Sequence, residues 1–278
     1  MRQLVLSEFP DRNGILVLGG SNYHYLAKVL RKTSGSSVEA RLPDGSIRTF
    51  RILDITRETK EIRLSAAEEN GQSGQNMPDI PSFFPRIILF QWMIKNPKME
   101  QLVRQATEMG VSEIIPVTGE RSLFRNEKES YPVKQERWER IIREARQQSG
   151  SSIPTGIFNP VSLSEAVRIW NDISGDIPEN RKIAFVLTET PLERKTLHEY
   201  LGRHIKDGED IPVCAALAVG PEGGMTEQET ETLTENNFLK IHFNTNILRS
   251  ETAALYGVAA IQNALTELGK WQLKEYNL

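Results

Sequence analysis

Val213-Cys214-Ala215-Ala216-Leu217-Ala218-Val219-Gly220-Pro221-Glu222-Gly223-Gly224-Met225 is the stretch whose reading decides the fold. Seven apolar residues without alternation read as a strand buried on both faces, as in parallel sheets covered by helices. Glycines break the run, and Thr226 with Glu229 has the spacing of a capping box that opens the next helix. Strand, glycine turn and helix in that order set the turn at the carboxyl end of a strand, where open α/β sheets bind ligands.

The same alternation extends in both directions. Strands are expected at Ile87 to Met93, Glu113 to Val117, Ile183 to Leu187 and Leu239 to Phe243. Helices are expected at Met99 to Met109, Lys134 to Gln148, Leu163 to Trp170, Leu192 to Ile205, Glu227 to Asn236 and Thr252 to Leu268. Strands and helices in turn predict an α/β domain with a parallel sheet over residues 86–278. Residues 1–70 read differently, as short strands at Gln3 to Glu8, Gly14 to Leu18, Ser37 to Leu42, Ile47 to Ile55 and Glu61 to Ala66. Pro43-Asp44-Gly45 is a turn between two of them, and Ser21 is placed to cap a helix from Asn22 to Arg31 with Tyr25, Leu26, Val29 and Leu30 on one face. This pattern predicts a small barrel-like β domain, joined to the second by a linker of Gly, Ser and Pro at residues 71–85.

Composition narrows the classes. With 278 residues, 38% hydrophobic and 26% charged, the chain has ordinary globular usage. It has neither an apolar run long enough to span a bilayer nor the apolar core of a signal peptide at its start, so a cytoplasmic protein is expected, with no membrane partner. The single Cys214 excludes disulfides, and His24, His198, His204 and His242 lack ligand spacing, so no metal is expected. The net charge of -3 hides an asymmetry: residues 1–70 carry +2, residues 86–150 carry +3 and residues 151–278 carry -7. That split is compatible with a polyanion on the first half and a non-phosphate ligand in the second.

Three segments can carry chemistry. At Gly220 to Met225, Gly223 and Gly224 let backbone amides approach a ligand, while Glu222, Glu227 and Glu229 crowd a helix start that would otherwise attract phosphate. No Walker loop or dinucleotide fingerprint is present, so a ligand offering hydroxyls, an adenine edge or a cation is favoured. Asn246-Ile247-Leu248-Arg249-Ser250-Glu251-Thr252-Ala253-Ala254-Leu255-Tyr256 is a polar turn opening an alanine-rich helix, with Ser250 as the expected cap and Ala253, Ala254, Val258, Ala259 and Ile261 as a packing face. Arg249 suits a phosphate or an enolate-like oxygen. Arg137, Arg140, Arg143 and Arg146, following Arg121, Arg125 and Lys128, make a slanting basic stripe that reads equally as phosphate contact or as solvated surface.

Taken together and in order, several motifs resemble one family. They are His24-Tyr25-Leu26-Ala27-Lys28-Val29-Leu30-Arg31, Lys98-Met99-Glu100, Ala106-Thr107-Glu108-Met109-Gly110-Val111, Glu120-Arg121-Ser122, Arg137-Trp138, Glu144-Ala145, Gln148-Ser149-Gly150, Gly220-Pro221-Glu222-Gly223-Gly224 and Ile247-Leu248-Arg249-Ser250-Glu251-Thr252-Ala253. The chain resembles the ribosomal RNA small subunit methyltransferase E family of the SPOUT superfamily over nearly its whole length. The resemblance implies a PUA-like β-barrel that helps dock RNA, then an α/β SPOUT domain with a trefoil knot, and a homodimer with no DNA partner. It implies S-adenosylmethionine as cofactor, whose sulfonium, hydroxyls and adenine suit the acidic turn, and methylation of N3 of one uridine in 16S ribosomal RNA of the small subunit. Carried over by position, the cofactor residues are Leu187-Thr188-Glu189, Gly220-Pro221-Glu222-Gly223-Gly224, Ile247-Leu248, Ser250 and Thr252-Ala253. Arg249 and Glu251 are the catalytic candidates, as cation and as base, and Lys28, Arg31, Lys95, Arg121 and Arg137 the RNA contacts. The chain departs from the family pattern at Lys95-Asn96-Pro97, Gln105, Ser151, Asn244 and Asn246, with three fewer positive charges. The alternatives are an RNA-binding homologue without turnover and a ribose 2'-O-methyltransferase of the same superfamily.

Overall fold

The computed structural model describes residues 4–6, 8–66, 84–122, 131–189, 196–206 and 212–271, without the side chains at 131–132, 203–206 and 268–271. Most of the expected linker, Arg125, Lys128 and the start of the helix expected from Leu192 lie outside the described residues. The chain divides into two compact units, residues 1–79 with 146–154, and residues 80–145 with 155–278.

In the first unit the strands are β1 (Leu4–Val5), β2 (Ile15–Leu18), β3 (Ser37–Arg41), β4 (Ile47–Thr56) and β5 (Glu61–Ala66). They form one sheet in the order β1-β3-β4-β5-β2, with β1 parallel to β3 and every other pair antiparallel. The expected turn is present: Gly45 has φ 87°, and Asp44 Oδ1 accepts from Ser46 N at 3.0 Å. Alternate strand residues, among them Phe50, Ile52, Ile62 and Leu64, close the core over Leu26.

The helix of this unit departs from expectation. It is α1 (Gly20–Tyr23) continued by a π-type segment His24–Val29, so Ser21 lies inside it and caps nothing. Tyr23, Tyr25 and Leu26 are buried, whereas Val29 and Leu30 are 48% and 42% exposed. The cause is the winding. Leu30 N bonds to Tyr25 O, five residues back, and the extra residue in the turn rotates Val29 and Leu30 off the packed face.

The second unit holds β6 (Arg86–Trp92), α2 (Asn96–Glu108), β7 (Glu113–Val117), α3 (Tyr131–Ser149, its last residues counted with the first unit), β8 (Gly156–Ile157) and α4 (Leu163–Ser174). There follow β9 (Lys182–Leu187), α5 (Leu197–Lys206), β10 (Cys214–Val219), α6 (Glu227–Glu235), β11 (Phe238–Ile241) and α7 (Ser250–Trp271). All six strands are parallel, in the order β11-β9-β10-β6-β7-β8. β8, two residues long, was too short to carry a periodic signal.

Every residue of β10 is buried, as the unbroken apolar run predicts. Ala215, Leu217 and Val219 face one core with α2 and α7, and Cys214, Ala216 and Ala218 face the other with α4 and α6. The helices after the neighbouring strands β6 and β10 therefore leave to opposite faces, α2 to the first core and α6 to the second. Such a switch opens a crevice at the carboxyl ends of that strand pair.

Candidate functional site

The crevice is lined first by Gly220 to Met225. A Cβ at Gly220 would lie 3.0 Å from Met225 N, and Gly224 has φ 70°, with its Cβ position 3.4 Å from Glu189 Oε1. Both positions need the absent side chain. Ser250, the expected cap of α7, is instead its first residue, and its hydroxyl donates to Gly220 O. Arg249 precedes the helix, and its carbonyl accepts the first helical bond from Ala253 N at 2.8 Å. Ser250 is engaged elsewhere because Gln91 Nε2 donates to its Oγ at 2.9 Å from inside β6. Sequence reasoning missed Gln91; the signal was a polar residue inside an apolar strand, fully buried with its Oε1 unpartnered.

The charges around the turn also differ from the expected acidic crowd. Glu229 faces inward and accepts from Thr226 N and Glu120 N at 2.8 Å and from Trp92 Nε1 at 3.1 Å. The capping box forms, but Glu229 is thereby structural and faces no ligand. Lys98 Nζ lies 3.4 Å from both Glu222 Oε1 and Glu251 Oε2, and Arg121 Nη1 donates to Gly223 O at 2.9 Å. Two cations remote in sequence thus temper the acidity of the turn. Glu189 stays exposed beside Gly224.

The remaining loops meet the turn at its flanks. Thr188 N donates to Ile241 O at 2.9 Å, and His242 Nδ1 lies 2.9 Å from Thr188 O, which ties the ends of β9 and β11. Leu187 and Leu248 are half-buried, as is Ala253, while Thr252 is exposed. Ile247 is 100% exposed. Arg249 is exposed and makes no ion pair among the described residues, whereas Glu251 is buried against Lys98. Of the expected packing face, Ala254, Val258 and Ile261 are buried and Ala259 is exposed. Pro221 is buried under the turn.

The basic residues separate into distinct settings. Lys28 and Arg31 are exposed in the first unit, and Lys95 is exposed ahead of α2. Arg137 pairs with Glu100, Nη2 to Oε2 at 2.8 Å, a bond that raises its pKa above the ordinary arginine value. Arg140 and Arg143 are exposed and Arg146 is buried, so the stripe is not one surface. Cys214 is buried, and burial pushes its thiol up to about 11 against the opposing charges of Arg86 and Lys182. Among the described residues no group of three or more His, Cys, Asp or Glu could hold a metal ion.

The comparisons with known proteins bear on this crevice. The model of the RNA methyltransferase domain family matches residues 82–262, and that of the RNA methyltransferase PUA domain matches residues 18–65. The ribosomal RNA small subunit methyltransferase E of Aquifex aeolicus is 34% identical over 178 residues, 64% of this chain and 68% of its own length. That of Synechocystis is 27% identical over 265 residues, covering 95% and 78%. The structure of a methyltransferase of Legionella pneumophila in complex with bound S-adenosylmethionine superposes with a TM-score of 0.70 and 25% identity, over 95% of this chain and 96% of that one. A ribosomal RNA small subunit methyltransferase E from Neisseria gonorrhoeae gives the same TM-score at 22% identity, over 95% and 97%, and supports the fold. With a methyltransferase domain behind a PUA domain, and relatives of one kind along its length, the chain belongs to the ribosomal RNA small subunit methyltransferase E family of RNA methyltransferases.

Proposed function

We propose that this chain methylates N3 of a uridine in 16S ribosomal RNA of the small subunit, using S-adenosylmethionine. The observation that carries the reading is the convergence of three segments on one crevice: the end of β9, the glycine turn after β10 and the start of α7. The residues fit the cofactor. Gly220 leaves room for the backbone of Met225, Gly224 takes a positive φ that side chains disfavour, and buried Gln91 Oε1 is an acceptor without a partner. Glu189 offers acceptors for hydroxyls, and Leu187 and Leu248 offer apolar surface. When bound, the cofactor supplies a methyl group made electrophilic by its sulfonium.

The chain's own part is positioning and charge. Uridine N3 must lose its proton to become a nucleophile, and the negative charge that develops spreads to its flanking carbonyl oxygens. Arg249, exposed and unengaged by any carboxylate among the described residues, is the cation for that charge. Glu251 is the candidate base, held by Lys98 at 3.4 Å. Ring-nitrogen attack needs no covalent nucleophile, in keeping with the inert Cys214. The proposal includes the trefoil knot of the superfamily, a cytoplasmic location, and a homodimer in which a second copy covers Ile247 and Tyr256, exposed at 100% and 47%.

The test is transfer of labelled methyl from the cofactor to small subunits taken from a strain lacking this protein, with the methylated atom mapped by mass spectrometry. Label on N3 is expected; label on a ribose oxygen would establish the rival chemistry. Arg249→Ala should keep cofactor affinity and lose about 100-fold in transfer. Wild-type turnover by that variant would remove Arg249 from the mechanism.

A further inference from the structure

Arg146 lies in the last turn of α3, among the residues 146–154 that belong to the first unit with Arg41 of β3. It is 9% exposed and Arg41 is 6% exposed. Arg41 Nη1 donates to Gly45 O at 2.6 Å and Nη2 to Gly150 O at 3.0 Å. Gly45 approaches the same segment so closely that a Cβ would lie 2.8 Å from Ser152 O. Within this cluster Arg146 Nε and Nη2 and Ser152 Oγ are buried and have no hydrogen-bond partner. Burial, and then the charge of Arg41, hold the Arg146 pKa below the ordinary arginine value. Burial does the same to Arg41.

Packing alone gives no reason for this arrangement. A guanidinium stays charged and carries five donors, and each buried donor left unmade is costly. A methionine would fill a similar volume at no such cost. Two cations side by side add repulsion. The unsatisfied donors are moreover a matched pair, since Nε and Nη2 form one edge of the guanidinium, the fork that takes two oxygens of a phosphate. An oxyanion on that edge satisfies both donors and offsets the repulsion, and the unpartnered Ser152 hydroxyl is a third donor in the same 146–154 segment.

We infer that Arg146, Arg41 and Ser152 form an oxyanion site in the first unit that takes a backbone phosphate of the RNA substrate. The identity of the anion rests on the proposed RNA methylation; the existence of the site does not. Seating the phosphate requires the segment Gly150 to Pro154 to move outward, because the orphaned atoms are covered in the described state.

Two measurements on the full chain test it, with Arg146→Met and Arg146→Lys as variants and circular dichroism as the check of folding. In the first, thermal melting is followed in inorganic phosphate and in chloride of matched ionic strength. Phosphate should raise the wild-type Tm, leave Arg146→Met unmoved and act weakly on Arg146→Lys, which keeps the charge and loses the fork. In chloride Arg146→Met should melt at or above the wild type, because it removes an unpaired buried charge. In the second, binding to unmethylated small subunits is titrated against salt. Arg146→Met should bind roughly tenfold more weakly, with the slope of log affinity against log salt reduced by about one. An equal phosphate shift in wild type and Arg146→Met overturns the site, and unchanged binding to small subunits overturns its assignment to RNA. Should the wild type itself fail to methylate small subunits, the enzymatic reading falls, and the phosphate melts still decide the site.

Discussion

Glu229 shows how one side chain can serve two elements. Its carboxylate closes the capping box of α6 and also accepts from Trp92 and from the backbone of Glu120, so the ends of β6, β7 and β10 meet on one acceptor. Gly119 is required beside it, since a Cβ there would lie 2.0 Å from Trp92 Nε1. Glu229→Ala should cost about 2–4 kcal/mol in urea unfolding, because it strands three donors in a buried place. A loss below 0.5 kcal/mol would mean that water replaces the carboxylate. Cys214 gives a pH-dependent prediction. Its folded pKa of about 11 exceeds that of an unfolded thiol, about 8.5, so the folded state holds the proton more tightly. The stability from this group is therefore whole below about pH 8.5 and is lost as pH rises toward about 11. At pH 8 iodoacetamide should leave native Cys214 unlabelled and modify it once urea unfolds the chain, read by mass spectrometry.

Among the elements, α7 matters most to the crevice, because Arg249 directly precedes it, its first turn supplies Ser250 and Glu251, and its next two turns seat it on β10. Gly257 permits the close approach: a Cβ there would lie 2.6 Å from Leu217 Cδ2. Gly257→Ala gains about 1 kcal/mol of helix propensity and loses about 1–3 kcal/mol to overpacking of a fully buried leucine. The net is expected to be destabilising by about 1 kcal/mol, with cofactor affinity reduced as the Ser250 to Gly220 bond is pulled apart. Chemical unfolding and calorimetric titration with S-adenosylmethionine check the two parts separately. The short helical segment of the first unit teaches the opposite lesson about elements. Its apolar residues Tyr25, Leu26, Val29 and Leu30 have α-helical spacing, and π-type winding turns half of them to the surface.

At the scale of the molecule, the two cores of the parallel sheet lie wholly within residues 80–145 and 155–278, whereas residues 146–154 belong with the first unit. A fragment of residues 84–278 is therefore expected to fold and to bind S-adenosylmethionine. Amides of residues 146–154 should exchange faster in it than in the full chain, because Arg41 and Gly45 are gone. Hydrogen exchange followed by mass spectrometry measures this, and equal protection in fragment and full chain would show that α3 orders the segment unaided.

The sequence by itself determined the order of strands and helices apart from the two-residue β8, the double burial of β10, the glycine turn at its carboxyl end and the capping box behind it. These are read from residues a few positions apart, where backbone sterics and side-chain period act locally. The tertiary structure alone decided which side chains of those segments face the crevice. Gln91 reaches Ser250 across 159 positions and Lys98 reaches Glu222 across 124. Glu229 turned inward and Arg146 became buried for the same reason. The direction of a side chain and the partner of a charge depend on elements distant along the chain, and no local period encodes them.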